Sequence, residues 1–495
     1  MSSYSTARVE SALEKVVAYI QQNGGASNKS LLGRTSGFWQ AEFATRPNFP
    51  SVSDYLVFRR EGFSKGMADS VTFDLADARK QTVAKEQAHA RATYEIFRQS
   101  TDPARVLALD EAVLGAPFLF EHHGVHRSAA FWTNAATGLR VQDILQARGG
   151  ARYPLDILEI GAGWGCAANQ LHQIFPINSY AIVDLPQNLA LSTTYLASTL
   201  GLELQFASGA DASVVARPRS VLCALPGDAN AIGQSYDVVL NSFSLQEMDL
   251  DTVRGYFAWI SRILKENGCF ISFNSHGKAG VKAPSDYPLE MYHLDNLGMF
   301  RAYPSGLLNT IPYEMVLSPR KGRAPADATL LNTLCCLIQF GLGDDLKPIC
   351  DAFVKHALAP ETDKALRDLA GFFSASPARR ETALERAGDA IPPAILAYLR
   401  GLDAFSRSAE KDACRSLEDA LDRGLKGFAR LRASAHLAIL RKQKTLPKWN
   451  EDFDARLAYP ELARMLDESN PNQFVVQFDR IVSVELLDVP VLQPA

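Results

Sequence analysis

The chain has 495 residues, 47% hydrophobic and 21% charged, the balance of an ordinary globular protein too long for one hydrophobic core, so two or three domains are expected. A net charge of -4, from 51 basic and 55 acidic residues, excludes an overall field that would draw nucleic acid or an anionic membrane. The 7 cysteines form no Cys-x-x-Cys pair, which argues for a reducing compartment and against structural zinc. Met1–Ile20 lacks the apolar core of a secretion signal and no run approaches ~20 apolar residues, so a cytoplasmic chain without a membrane span is expected.

Residues 1–150 read as a mainly helical N-terminal region acting as a lid or cap, with helices at Ala7–Gln22, Ser70–Gln99 and Leu139–Ala147 and a loop at Pro47–Ser53. Within it, Glu121-His122-His123-Gly124-Val125-His126 raises two readings. Histidine ligates metals, but neighbours on an extended segment point to opposite faces, so His122 and His123 fit substrate-facing lid residues better than one metal site. No metal is assigned.

From Leu155 the pattern changes to short apolar strands separated by helical stretches, the pattern of a parallel α/β sheet. Strands are expected at Leu155–Ile160, Ser179–Asp184, Leu202–Ala207, Tyr236–Asn241 and Gly268–Asn274. Between the last two, Val253, Phe257, Ile260 and Leu264 fall on one helical face, and Asn267-Gly268 is expected to end that helix. Met299–Tyr303 and Tyr313–Leu317, with a turn at Pro304-Ser305-Gly306, fit an antiparallel closing hairpin. The sheet domain is thus expected over 151–322 and a helical C-terminal domain over 323–495.

In that last part, helix starts near Ala326, Pro360, Ala394 and Phe428 recur every 34 residues. This is a tetratricopeptide-like period, and Gly401, Ala413, Leu417 and Ala420 supply the packing positions of one unit. A repeat array and an irregular bundle both remain open, as does a partner or self-association surface. Phe474–Leu487 reads as strand or an apolar docking tail.

The chemistry concentrates after the first strand, in Glu159-Ile160-Gly161-Ala162-Gly163-Trp164-Gly165. Glycines let the backbone turn sharply and approach a ligand where a Cβ would collide. The third glycine arrives one residue too early for the G-x-G-x-x-G of nicotinamide proteins, whose place Cys166 holds. A second acid, Asp184, ends the next strand 19 residues after Gly165. The arrangement resembles motif I of class I S-adenosylmethionine methyltransferases. A carboxylate at Asp184 can accept both ribose hydroxyls, with Glu159 facing the cationic methionine end. The bland alternative is a tight strand-to-helix turn with no ligand.

Further blocks narrow the resemblance. Asp184-Leu185-Pro186-Gln187-Asn188-Leu189 and Asn241-Ser242-Phe243-Ser244-Leu245-Gln246-Glu247-Met248 are similar to blocks of the sugar O-methyltransferase family. So are Phe49–Tyr55 with Phe58-Arg59-Arg60, and Glu111–Pro117; the resemblance covers about residues 37–318. Ala162 stands where the family form has a further glycine, and Trp164 and Cys166 make the loop bulkier. The resemblance implies a Rossmann-like methyltransferase sheet and S-adenosylmethionine as cofactor. It also implies methyl transfer to a hydroxyl of a sugar or glycan.

Methyl transfer to an alcohol needs alignment and a base. Residues after the fourth and fifth strands are placed to face the transferred methyl group, which nominates Glu247 first and His276 second as base. Glu247 also reads as an acid opening the next helix, and His276 as a solvated loop residue. Leu185, Asn241 and Ser242 are expected near the cofactor, Asp211 near its adenine, and Gln246 and Tyr292 near the acceptor, where core packing explains Tyr292 equally well. An interaction protein with a cofactor-sensing domain is the alternative function.

Overall fold

The structure is a computed structural model. It describes residues 4–27, 32, 36, 39–40, 49–61, 87–88, 90–98, 101–122, 124–150, 153–208, 213–276, 284–300, 311–320, 333–338, 369, 372, 376–387, 391–425 and 427–442. The chain divides into two compact units, Met1–Asn274 with Arg301–Pro304, and Ser275–Phe300 with Ser305–Ala495. The N-terminal region and the sheet therefore share one unit.

The first unit opens with α1 (Thr6–Ser27) and α2 (Val52–Glu61), followed by a short hairpin of β1 (Phe120–His122) and β2 (Val125–Arg127) and then α3 (Ala129–Ala147). Ser128 caps α3 by accepting from the Phe131 amide at 3.1 Å, which starts the helix ten residues before the expected Leu139. The sheet follows as β3 (Leu155–Ile160), α4 (Cys166–Ile174), β4 (Ile177–Val183), α5 (Pro186–Leu200), β5 (Glu203–Phe206), β6 (Ser220–Ala224), β7 (Tyr236–Ser242), α6 (Leu250–Ile263) and β8 (Leu264–His276). The strands run β5-β6-β4-β3-β7-β8, all parallel, which is the Rossmann-like doubly wound arrangement.

The expected strand Leu202–Ala207 is present as β5, and the order corrects the expectation by adding a strand between it and β4. Glu203–Phe206 forms the sheet edge, and Ser220–Ala224, which is fully buried, takes the third position beside β4. Five buried residues in a row read as a strand packed on both faces. A second correction concerns α6, which ends at Ile263 with Leu264 already extended. Gly268 lies inside β8, where a Cβ would stand 2.8 Å from the Tyr236 carbonyl oxygen, so this glycine serves strand approach and caps no helix.

The core is built from Ile157, Leu158, Ile160, Val238, Val239, Leu240, Phe270 and Ile271, all fully buried, each worth about 1.5–3 kcal/mol of transfer free energy. At the amino ends of the strands, the Lys265 ammonium bridges Asp156 at 2.6 Å and Asp237 at 2.8 Å. Lys265 lies within the register shift of β8, between Leu264 opposite Tyr236 and Cys269 opposite Val238. On the other side, α1 packs on α5 and β5.

In the second unit β9 (Tyr292–Met299) and β10 (Ile311–Pro319) pair antiparallel, so the first hairpin strand lies seven residues earlier than expected. The predicted turn at 304–306 lies outside the described residues. Helices α7 (Pro377–Ala387), α8 (Pro393–Ser406), α9 (Glu410–Asp422) and α10 (Gly427–Leu440) follow. A Cβ on Gly401 would stand 2.6 Å from the Leu417 side chain, so the small residue sets the approach of α8 to α9. The expected starts at Ala326 and Pro360 and the tail Phe474–Leu487 lie outside the described residues. No described helix is long and apolar enough to cross a membrane.

Candidate functional site

The site is built at the carboxyl ends of β3, β4 and β7. Gly161, Gly163 and Gly165 all hold positive φ, +74°, +60° and +90°. A Cβ on Gly161 would stand 2.2 Å from Ser244 Oγ, so both conformation and space exclude a side chain there. Gly165 starts α4, and the turn closes by a bond from its amide to the Ala162 carbonyl at 2.9 Å.

Asp184 meets this loop. Its Oδ2 accepts from the Gly163 amide at 3.0 Å, and its Oδ1 accepts from the Leu185 amide at 2.7 Å and from Asn188 Nδ2 at 3.3 Å. The carboxylate is thus turned into the loop it was expected to face, and holds the turn in shape. Glu159, 1% exposed, accepts from the Tyr180 hydroxyl at 2.7 Å. Burial pushes the carboxyls of Glu159 and Asp184 each up to about 7, against the hydrogen bonds they accept. Neither pairs with a cation among the described residues. Near Asp184, the buried oxygens Asn188 Oδ1 and Gln187 Oε1 have no hydrogen-bond partner. A glycine cradle, two uncompensated carboxyls and orphaned acceptors suit a ligand that carries hydroxyls and positive charge.

Beyond β7 the site is neutral and fixed. Asn241, fully buried, donates to the Ile160 carbonyl at 2.9 Å and to Ser244 Oγ, and its Oδ1 accepts from Asn274 Nδ2 at 3.1 Å and from the Leu245 amide at 3.3 Å. Asn241 therefore joins three strand ends, a bracing position more than a contact surface. Ser242 is half-buried, and Phe243 holds φ +60°, an outlier for a bulky residue that the neighbouring bonds maintain. The Gln246 amide donates to Asn274 Oδ1 at 3.2 Å. Glu247 closes a short 3-10 turn, so the expected helix start falls three residues later at Leu250; its Oε2 accepts from Trp39 Nε1 at 3.1 Å.

Trp164, 6% exposed, is turned toward the helices: its ring meets Tyr195 of α5 edge-on at 5.0 Å and Phe58 of α2 at 5.7 Å. His122 belongs to an aromatic cluster, stacked on Tyr94 at 4.8 Å and edge-on to Trp132 at 6.0 Å. Tyr292 opens β9 in the second unit and is fully buried, the core position that packing alone explains. Asp211, His123 and the side chain of His276 lie outside the described residues. Among the described residues, no group of three His, Cys, Asp or Glu side chains could hold a metal ion.

With β6 in the third position, the acid following that strand is Asp228. The hydroxyl of Tyr19 lies 2.9 Å from Asp228 Oδ2 and 2.6 Å from the Ala207 carbonyl, and accepts from the Leu225 amide at 3.1 Å. The run Val221-Leu222-Cys223-Ala224-Leu225 ended by Pro226-Gly227 is the signal that locates it. Tyr180, Gln187, Asn188, Ser244 and Asn274 also lie at the candidate site, and the long-range bonds of Tyr180 to Glu159, Ser244 to Ile160 and Asn274 to Asn241 leave no local trace in the sequence.

No family model matches the chain, and no curated protein matches it. Among solved structures, the magnesium protoporphyrin IX methyltransferase of Synechocystis PCC 6803 with bound SAM is similar at 13% identity and a TM-score of 0.27, over 38% of this chain and 80% of that one. An S-adenosylmethionine-dependent methyltransferase of Clostridium acetobutylicum matches at 13% identity and a TM-score of 0.27, over 38% and 92%. The mitomycin 7-O-methyltransferase matches at 15% identity and 0.24, over 39% and 55%. At such identities the likeness concerns fold, and the chemistry is read from this chain's own residues.

Proposed function

We propose that this chain is an S-adenosylmethionine-dependent O-methyltransferase acting on a hydroxyl of a sugar or glycan. One observation carries the cofactor reading: two buried carboxyls without a cation lie at a glycine loop whose Gly161 has no room for a side chain. Glu159, Asp184, the loop 161–165 and the first turn of α5 would hold the ligand. When bound, S-adenosylmethionine supplies a methyl group on a sulfonium, ready for displacement. Glu159 would face its positive charge and Asp184 its ribose hydroxyls, on a loop whose turn is fixed by the bonds from the Gly163 amide to Asp184 and from the Gly165 amide to Ala162. Glu247 takes the acceptor hydroxyl's proton; the Trp39 bond holds its carboxylate in place. The sugar acceptor rests on the resemblance carried by Asn241–Met248 and the upstream blocks.

Calorimetric titration tests the cofactor. Binding of S-adenosylmethionine and S-adenosylhomocysteine, with none of NAD, is expected. Asp184→Ala should weaken binding by about a hundredfold while the fold persists, since a charge-assisted acceptor and the loop's anchor are both lost. Absence of binding by the folded wild type would leave the interaction-protein reading. Glu247→Gln should lower turnover by about 10²–10⁴ with cofactor affinity unchanged; near-normal turnover would move the base to His276.

A further inference from the structure

Two sequence blocks far apart in the chain, Phe58-Arg59-Arg60 and Glu111–Pro117, meet in one buried polar node that the proposed reaction does not use. Arg59 is fully buried and pairs with Glu111. Its Nη1 donates to the Ala112 carbonyl at 2.7 Å and its Nη2 to Ser128 Oγ at 3.0 Å, while its own amide donates to the Gly115 carbonyl at 3.0 Å. Glu111 in turn accepts from the Ser128 amide at 2.7 Å and the Ser128 hydroxyl at 2.5 Å. Gly115, at φ +87°, lies so close that a Cβ would stand 2.6 Å from the Phe58 ring. Three separate segments of the N-terminal region are thus held by one guanidinium.

The same guanidinium lies over the indole of Trp164, 4.6 Å from the ring centroid. Trp164 sits between Gly163 and Gly165, both at positive φ, and within 161–165 it alone has a side chain larger than a methyl group. Beside the backbone bonds that close the turn, Trp164 is the large side chain through which packing can select its conformation, and each residue left unordered would add to the entropic cost of binding. The indole is gripped on three sides, by Arg59, Phe58 and Tyr195. The planar fork of an arginine can engage a carboxylate and stack on an indole together; a lysine cannot.

We propose that Arg59 is a positioning residue that sets the ligand loop through Trp164, so that the N-terminal region and the loop order as one unit. This rests, for its cofactor consequence, on the reading that loop 161–165 holds S-adenosylmethionine. The loop's conformation itself depends on Arg59 whether or not that reading stands.

Hydrogen exchange on the full chain tests it with Arg59→Lys, which keeps the charge opposite Glu111, and with Trp164→Leu, which leaves the Arg59–Glu111 pair in place should the first variant not fold. In ligand-free protein, amides 161–165 are expected to exchange at least about tenfold faster in either variant, with the amides of β4 and β7 unchanged. With S-adenosylhomocysteine, wild type should gain protection at amides 112–116, and saturated variants should gain it only at 161–165. Affinity should fall about tenfold to a hundredfold in the variants. Equal loop exchange in wild type and variants overturns the proposal. Failure of wild type to bind the ligand would remove the cofactor reading alone and leave the ligand-free comparison decisive.

Discussion

The two ends of the same sheet treat carboxylates in opposite ways. At the amino ends, hydrogen bonds from Lys265, Ser179 and Asn178 outweigh burial and hold Asp156 below the usual carboxylate range. At the carboxyl ends, Glu159 and Asp184 lie buried without a cation, and burial raises both. The strands between are continuous, so the difference lies in what each end must do. One end pairs its carboxylates with a lysine, and the other leaves its carboxyls without one, which on the proposed reading serves a ligand.

Three substitutions sharpen that contrast. Gly161→Ala should have the largest effect, because it forces a Cβ at positive φ against Ser244; a loss of about 3 kcal/mol in urea unfolding and of measurable cofactor binding is expected. The lysine bridge at the far end should survive it. Glu159→Gln should act with the opposite sign. Because burial raises the folded pKa of Glu159 to about 7, its contribution is full below the unfolded value near pH 4 and is lost as pH rises through about 7. The glutamine should therefore stabilise the ligand-free protein above neutrality by on the order of 2 kcal/mol and flatten its pH profile. Asp156→Asn should have the smallest effect, about 0.5–1 kcal/mol, since Lys265 is 38% exposed and screened. Its folded pKa is depressed, so that contribution is present above about pH 4 and vanishes as pH falls through the folded value. If both acidic substitutions bend the pH profile in the same direction, the contrast between the ends is wrong.

The loop and strands β3, β4 and β7 were legible because an apolar run followed by glycines at alternate positions admits few other structures. Strand β6 is less legible because its four apolar residues follow Arg217-Pro218-Arg219-Ser220, and the nearer run Leu202–Ala207 reads as the third strand. The identity of Asp184 could be read, but its orientation could not, since that depends on the amides of Gly163 and Leu185. The place of Asn241 at a strand end is likewise legible, and its four bonds to neighbouring strands and turns are not.

Tyr19 carries one more consequence, for the order in which the molecule is made. Its hydroxyl is bonded to the Leu225 amide across 206 residues, as well as lying against Ala207 and Asp228. During synthesis the first helix leaves the ribosome roughly 10–40 s before its partner strand exists, at about 5–20 residues per second. Edge strand β5, only four residues long and packed against the same helix, is likewise made long after it. The beginning of the chain is therefore among the last parts of the sheet unit to find its place.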